Sequence, residues 1–477
     1  MVPVVCLNIS TAASSEPYEQ VRGVMHIKSN YSTGTSTIEQ IIEEGRESGL
    51  KVLVFADRDL IEVAYGVPFL RQLARFSKSN RALFSEGTLS EYLNEIRRQD
   101  DLYDDMIIID GVESNPFYFW ALNMAQLEWT LRFWNKNMVA VGMDSADAYR
   151  NLPTIGNSKM LIWRWESVLM LWPVVGLVYV FWLQRAGCVR VILGIVSALC
   201  LVNNALTLFK MPITDPYHGD LGTDPFQCYI DYVNNQGGLV FWSYPEMPAN
   251  LSLNSSFGID TETAIGAYAE DLALTTDYTG FSALKKNNLN AIDPGQEWDC
   301  ILKEYLDGKR QSPVWGIGEV EDYATANEKQ MNDIATVFLV RDLSRTSVLT
   351  ALREGRHYAV RGGDKSLILS RFQIVSPDQS NPEHLAVSGQ ELEFTGGDIS
   401  IGFSMEKLDG GEELVRIRLI RVSAEEVKVI DDMQALTPID YFYADRLSDG
   451  DRICYRLLAS SASSMLVSNP IFVSANK

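Results

Sequence analysis

The sequence predicts an α/β chain: a βα barrel, interrupted by a two-helix transmembrane hairpin and followed by a small C-terminal β-sandwich. Three observations carry this. Short apolar runs ending in polar residues alternate with amphipathic stretches up to about Val360, as strand–helix units do around a buried sheet. Two charge-free stretches, residues 168–183 and 191–202, interrupt that series around a short polar turn. Beyond residue 363 the helical stretches stop and short strand-like segments alternate with Gly-containing turns. The expected organisation is a leader at 1–19, barrel at 20–160, hairpin at 161–210, barrel again at 211–363 and sandwich at 364–477.

Each element has its own reason. Residues 1–16 have a short apolar start, then Ser-Thr-Ala-Ala-Ser-Ser-Glu, which reads as a leader or partial signal-like segment without a basic region. Residues 36–49 set Ile38, Ile41 and Ile42 among Glu residues and end at Gly49, the pattern of an amphipathic helix. Residues 51–59 and 107–113 are short apolar runs closed by a carboxylate, as buried strands are. Residues 344–355 predict a helix, and 357–360 the strand that follows. Strands are predicted at 367–375, 399–405, 414–422, 452–459 and 470–473, with turns at Asp409-Gly-Gly and Ser448-Asp-Gly.

The interruption reads as membrane-spanning because a soluble helix seldom stays apolar all round for this length. Trp163, Trp165 and Trp182 are placed as interfacial anchors, and Pro173 and Gly176 are tolerated in lipid. Arg185 and Arg190 in the turn favour the cytoplasmic side, with Arg164 and Lys210 at the far ends opposing them. The main domains are therefore expected to be extracytoplasmic, on the periplasmic side. A buried hydrophobic hairpin in a soluble protein is the competing reading.

Composition narrows the partners. The chain has 477 residues, net charge −21 and pI near 4.7, which disfavours a polynucleotide backbone. The expected partners are membrane lipid and proteins of a membrane complex. The six Cys include no Cys-x-x-Cys pair, so no zinc-ribbon or redox motif is visible. Cys188 and Cys200 fall in the apolar insertion, while Cys228 and Cys300 are candidates for a disulfide outside the cytoplasm. His218 reads as a surface-loop residue, and His357 and His384 as sheet and loop residues. No Gly-rich phosphate loop, Ser-His-Asp set or basic stripe is present.

A series of strand-end motifs points further. Residues 24–35 read Val-Met-His-Ile-Lys-Ser-Asn-Tyr-Ser-Thr-Gly-Thr; residues 51–59 end Ala-Asp-Arg-Asp; residues 107–113 end Gly-Val-Glu. Residues 134–142 read Trp-Asn-Lys-Asn-Met-Val-Ala-Val-Gly, residues 237–246 Gly-Gly-Leu-Val-Phe-Trp-Ser-Tyr-Pro-Glu, and residues 314–323 close on Glu-Val-Glu-Asp-Tyr. In this order the motifs resemble those of the PHP (polymerase and histidinol phosphatase) family over roughly residues 20–363. The resemblance implies a distorted βα barrel with a metal site at its strand ends. His26, Asp57 and Glu113 match ligand positions outright, and Glu321 replaces an Asp. Lys28, Arg58, Asn137, Tyr244 and Tyr323 stand where the family carries His.

Two cations among the ligand positions repel a metal rather than hold one. The expected function is that of a catalytically inactive, membrane-anchored PHP-like protein serving as a structural or interaction subunit, with no catalytic residue and no cofactor. Lys28 and Arg58 are expected to pair with Asp57, Glu113 and Glu321. One alternative is a phosphoesterase-like hydrolase holding a single divalent metal on His26, Asp57, Glu113 and Glu321. Another is an anion-binding module in which Lys28 and Arg58 are the ligands.

Overall fold

The computed structural model describes residues 18–476 except 61, 67–69, 80, 85–86, 124–127, 135, 156, 158–164, 183–186, 208–215, 217–218, 247–248, 254–260, 266, 287–289, 321–330 and 377–384. The leader reading of 1–19 therefore falls almost wholly outside the described residues, as do His218 and His384.

The first part of the chain is mixed α/β with much sheet. In order it comprises β1 (Glu19–Ile27), α1 (Ile38–Glu47), β2 (Val52–Phe55), its short continuation β3 (Asp57–Arg58), β4 (Glu62–Gly66) and β5 (Arg75–Ser79). There follow α2 (Leu89–Asp100), β6 (Ile107–Ile109), its continuation β7 (Gly111–Ser114), β8 (Phe119–Asn123), β9 (Glu128–Arg132), β10 (Asn137–Val141) and α3 (Ala146–Arg150). The expected helix at 36–49 is α1. Thr37 and Gln40 form a capping box at its start, and Ile38, Ile41, Ile42 and Gly45 bury one face at helical spacing.

A 3-10 turn at Trp165–Leu171 leads into two apolar helices, α4 (Trp172–Trp182) and α5 (Cys188–Thr207). They pack antiparallel. Asn204 donates to the Met170 carbonyl (2.8 Å), Ser197 Oγ lies against Gly176, and Val180 against Gly194. The two arms are unequal. Only α5, over Cys188–Leu206, is long and apolar enough to cross a membrane among the described residues. Pro173, lacking an N–H, sits at the second position of α4, so the regular helix starts there and not at residue 168.

The chain returns through α6 (Asp224–Asn235), β11 (Leu239–Ser243), β12 (Ala249–Leu253), β13 (Thr261–Ile265), α7 (Ala269–Leu274), β14 (Gly280–Leu284), α8 (Glu297–Leu306) and β15 (Trp315–Gly318). Then come β16 (Ile334–Val340), α9 (Arg345–Glu354) and β17 (His357–Arg361). Strands follow one another around a ring: β1, β2 and β6 pair in parallel, β7 continues to β10 and β11, and β11, β14 and β15 are parallel. A parallel bridge between Met25 and Glu319 brings β15 back to β1. Strict strand–helix alternation fails at β10, which is antiparallel to both neighbours.

Side-chain alternation along these strands separates two apolar layers. Val21, Met25, Val52, Val54, Ile109, Val139, Val141, Leu239, Phe241 and Ile317 fill the inside, and Val348, Ala351 and Leu352 of α9 plug one end. The opposite set, including Leu53, Phe55, Val112, Met138, Val240 and Trp242, packs beneath the outer helices. α9 ends at Gly355 with φ +74, where an added Cβ would lie 2.4 Å from the Trp315 ring, so only glycine fits.

The remaining strands are β18 (Leu367–Val375), β19 (Leu385–Val387), β20 (Glu391–Thr395), β21 (Gly397–Lys407), β22 (Leu414–Ser423), β23 (Val427–Leu436), β24 (Ile439–Leu447), β25 (Arg452–Ser460), β26 (Met465–Ser468) and β27 (Ile471–Asn476). Sheet β19-β18-β21-β24 faces a second sheet built on β25, and the facing residues form one apolar core. That second sheet is not separate from the ring. β26 pairs antiparallel with β17, so the strands run on without a break from one half of the protein to the other.

Cys228 and Cys300 are both free thiols, on α6 and α8.

Candidate functional site

The same alternation that fills the ring places polar side chains at one rim. Arg58 follows Val52, Val54 and Ala56 in the inward series, and Glu113 follows Ile109 and Gly111. Ser243 follows Leu239 and Phe241, and Glu319 follows Ile317. Asn137 heads the series Val139 and Val141, and it reaches this rim because β10 is antiparallel: Asn137 lies opposite Ser243, and Val139 opposite Glu113. A ligand-type position before its strand, the feature expected from sequence, is thus a product of strand direction.

Glu113 is the hub. Its Oε2 lies 2.8 Å from Arg58 Nε, 3.0 Å from Lys28 Nζ and 3.4 Å from His26 Nε2, and its Oε1 accepts from Asn137 Nδ2 at 2.6 Å. Burial works to raise its pKa, but Arg58, Lys28 and His26 outweigh that and hold the carboxyl well below the usual range. His26 also bonds through Nδ1 to Glu319, whose Oε1 accepts from Ser243 Oγ at 2.7 Å. Burial opposes a charge on this imidazole, yet Glu319 and Glu113 outweigh it and raise its pKa to about 9. At neutral pH His26 is therefore an imidazolium with a proton on each nitrogen. Glu319 is held below its ordinary pKa by His26, against the effect of burial.

Tyr244 faces the same space, its ring 5.9 Å from that of His26, with the Lys285 ammonium over the ring. Its hydroxyl and Glu319 Oε2 are buried without a hydrogen-bond partner. His26 and Tyr244 both have positive φ, +67 and +61. Left-handed backbone at two non-glycine residues costs on the order of 1–3 kcal/mol each and gathers at sites where side-chain aim outweighs strand regularity.

Asp57 does not join them. It falls in the outward series after Leu53 and Phe55, so its carboxylate turns away from the hub. The Ser29 N–H (2.9 Å), Ser29 Oγ (2.7 Å) and Ser32 Oγ (2.5 Å) occupy it, and it pins the loop after β1. The expected Asp57 pairing with Lys28 and Arg58 is replaced by this capping role. Glu321 and Tyr323 lie outside the described residues; the carboxylate present from the end of β15 is Glu319, two residues earlier. Ser243, Lys285 and Glu319 were missed from sequence. Inward parity was the available signal for Ser243 and Glu319; Lys285 follows a register shift in β14 that parity does not survive.

Behind Glu113, on the outer side of the wall, Ser114 Oγ donates to Asp59 (2.7 Å) and accepts from Tyr229 (3.0 Å). Burial, with the Glu113 charge adding to it, raises Asp59 to about 7.

No protein-family model matches the chain, and no curated protein matches it. Among solved structures, it is similar to a two-domain protein from Bacteroides vulgatus described as containing a predicted PHP-like metal-dependent phosphoesterase. Identity is 11%, TM-score 0.35, and the match covers 92% of this chain and 91% of that one. A putative metal-dependent phosphoesterase from Bifidobacterium adolescentis is similar at 14% identity and TM-score 0.24, over 64% of this chain and 90% of that one. At such low scores neither protein's chemistry transfers to this chain.

Proposed function

We propose that the chain is a membrane-anchored, PHP-like barrel protein whose rim no longer does metal chemistry, and that it works as a structural or interaction subunit of a membrane complex. The observation that carries the reading is the convergence of Lys28, Arg58 and His26 on Glu113. A divalent cation needs neutral imidazoles and free carboxylate oxygens. Among the described residues, the one imidazole at the rim is protonated, the two carboxylates there are engaged by three cationic groups, and Asp57 is capped from the far side of the wall. These residues do not fit the family's metal. The same pairing argues against an anion on Lys28 and Arg58, since both are already engaged by Glu113.

Membrane anchoring is supported by the exposed apolar surface of α4 and α5, where Val175, Tyr179, Trp182, Val189 and Val191 are more than half exposed. The arms form a transmembrane hairpin, the shorter α4 being extended by its 3-10 turn, with the turn at Arg185 and Arg190 cytoplasmic and the folded domains extracytoplasmic. The test is elemental analysis and phosphoesterase assay of detergent-purified protein, with His26→Ala alongside. We expect substoichiometric metal, no turnover with or without added manganese, and retention of the variant in its complex. A stoichiometric metal with activity abolished by His26→Ala would restore the hydrolase. Labelling of Cys188 from the outer face would reverse the topology.

A further inference from the structure

The edge strands of the sandwich are not alike. β19 is three residues long, and β20 is five residues with Glu391 and Glu393 exposed. β23 is bulged, its register with β22 skipping Ile430, and it sets Asp431 and Asp432 at its middle. Shortness, like charges and a bulge keep a strand edge from taking another strand. β24 is neither short nor bulged, and its outward charges are of both signs. Its nine residues run in unbroken register along β21, from Ile439 opposite Met405 to Leu447 opposite Gly397. Among the described residues no strand pairs with its other edge. Its outward side chains are Asp440, Phe442, Ala444 and Arg446, all exposed, Phe442 by 51%. The Phe442 ring lies over Gly402, where an added Cβ would come within 2.9 Å of it.

This order of side chains is complementary to itself. Tyr443 is the midpoint of β24. A second β24 laid antiparallel about that midpoint sets Asp440 opposite Arg446 and Phe442 opposite Ala444, and the twofold repeats both pairs. Opposite charges, and a ring against a small side chain, suit facing cross-strand positions. The contacts Asp440 makes within its own chain, to Arg371 and to Ser404 Oγ (2.9 Å), both fall on Oδ1. Arg446 is 83% exposed and stands 3.8 Å from Asp398, too far for a hydrogen bond. We propose that β24 is a self-association surface: two copies of the chain join edge to edge through their β24 strands, antiparallel about Tyr443, and extend the sheet β19-β18-β21-β24 across the twofold. The proposal does not depend on α4 and α5 crossing a membrane. A single strand pair is a small interface, so the dimer is expected in the micromolar range.

The test is sedimentation of the full-length protein in detergent micelles over a concentration series. The wild type should dimerise. Arg446→Asp and Asp440→Arg, each of which sets like charges opposite one another twice, should each raise the dissociation constant about tenfold. An equimolar mixture of the two variants should associate as the wild type does, because the heterodimer restores both opposite-charge pairs. A second measurement fixes the register. With Cys6, Cys188, Cys228 and Cys300 replaced by Ser, chains carrying Phe442→Cys and chains carrying Ala444→Cys are mixed and oxidised. Facing positions lie within disulfide reach, whereas the same position on both copies lies a diagonal step apart, so the mixture should cross-link faster than either variant alone. A monomer at every concentration overturns the self-pairing. A dimer that Arg446→Asp does not weaken and that forms no 442–444 disulfide overturns it too, and moves the interface elsewhere, to the exposed apolar helices first. If Asp440→Arg fails to fold beside Arg371, Arg446→Asp and the disulfide decide between these outcomes.

Discussion

The rim around Glu113 and the seam between the ring and the sandwich both bury charge, but they compensate it differently. At the rim one carboxylate is shared by three cationic groups, and Arg58 keeps an edge in solvent. At the seam Arg456 of β25 meets Asp299 of α8 one to one at 2.7 Å, both fully enclosed, with the guanidinium over Trp298. Both Arg456 Nη atoms lack hydrogen-bond partners. Each region also holds a buried histidine. His26 sits between carboxylates and is raised to about 9, whereas burial lowers His357, which no carboxylate accompanies, to about 4. Burial is complete at both, so the neighbouring charge decides the sign. A crowd of opposite charges shares its compensation among several partners; an isolated pair is a fastening.

The largest effect should come from removing the seam. Asn469 accepts from Gly316 N–H (2.7 Å) and donates to the His357 carbonyl (3.0 Å), while β26 covers the edge of β17. Deletion of residues 364–477 should therefore prevent folding of the ring, seen as protease sensitivity of the remainder. A well-folded truncated ring would show that the two halves are separable after all.

Next in size are the hubs. Asp299→Ala strands an arginine with no route to solvent and should cost about 5 kcal/mol; Glu113→Ala should cost nearer 3, because Arg58 can turn outward. Denaturant melts that reverse this order would break the comparison. The paired change Asp299→Leu with Arg456→Met should be neutral or stabilising by about 1–4 kcal/mol, as buried pairs replaced by apolar groups often are.

Of the same order as the Glu113 loss is the pH response. His26, with its folded pKa raised above 6.5, contributes stability that is complete below pH 6.5 and lost as pH rises through about 9. His357 has a lowered folded pKa, so its contribution is complete above pH 6.5 and lost as pH falls toward about 4. Each limb is on the order of 3 kcal/mol. These two groups together place the stability maximum near pH 6.5. His26→Gln should flatten the alkaline limb and His357→Gln the acid one, read from melting temperature against pH; a single variant that flattened both would contradict independent sites. The smallest effect is at Asn469→Ala, about 1–3 kcal/mol from two buried groups left unpaired.

What could be read beforehand follows strand alternation. Lys28, Arg58, Glu113, Asn137 and Tyr244 were found because each closes or opens an apolar run, and the ring gathers those ends. Asp57 looked equivalent, yet one residue of parity puts it on the far side of the wall. Glu319 was missed because it stands two residues before the carboxylate that the strand-end motif singles out, and spacing alone does not find it. β23 and β24 were missed: Asp431, Asp432, Asp440 and Asp445, facing outward or partly so, interrupt their apolar alternation, which reads as loop. The seam was invisible. Arg456 and Asn469 are ordinary strand and turn residues until a helix and a strand some 150 positions away are packed against them.

The ring's first strand has a consequence for biosynthesis. β1 pairs on one side with β2, which leaves the ribosome soon after it, and on the other with β16, whose Val340 meets Glu19 across roughly 300 residues of chain. Between the two lie α4 and α5, which a translocation machinery would take into lipid before β16 exists. On the proposed membrane reading, the nascent first half waits as an open sheet with a bare strand edge, tethered at the bilayer, until the second half arrives to close it. Such a chain depends on the order of its synthesis, and moving the apolar helices to either terminus should slow its maturation even if every contact of the finished protein were kept.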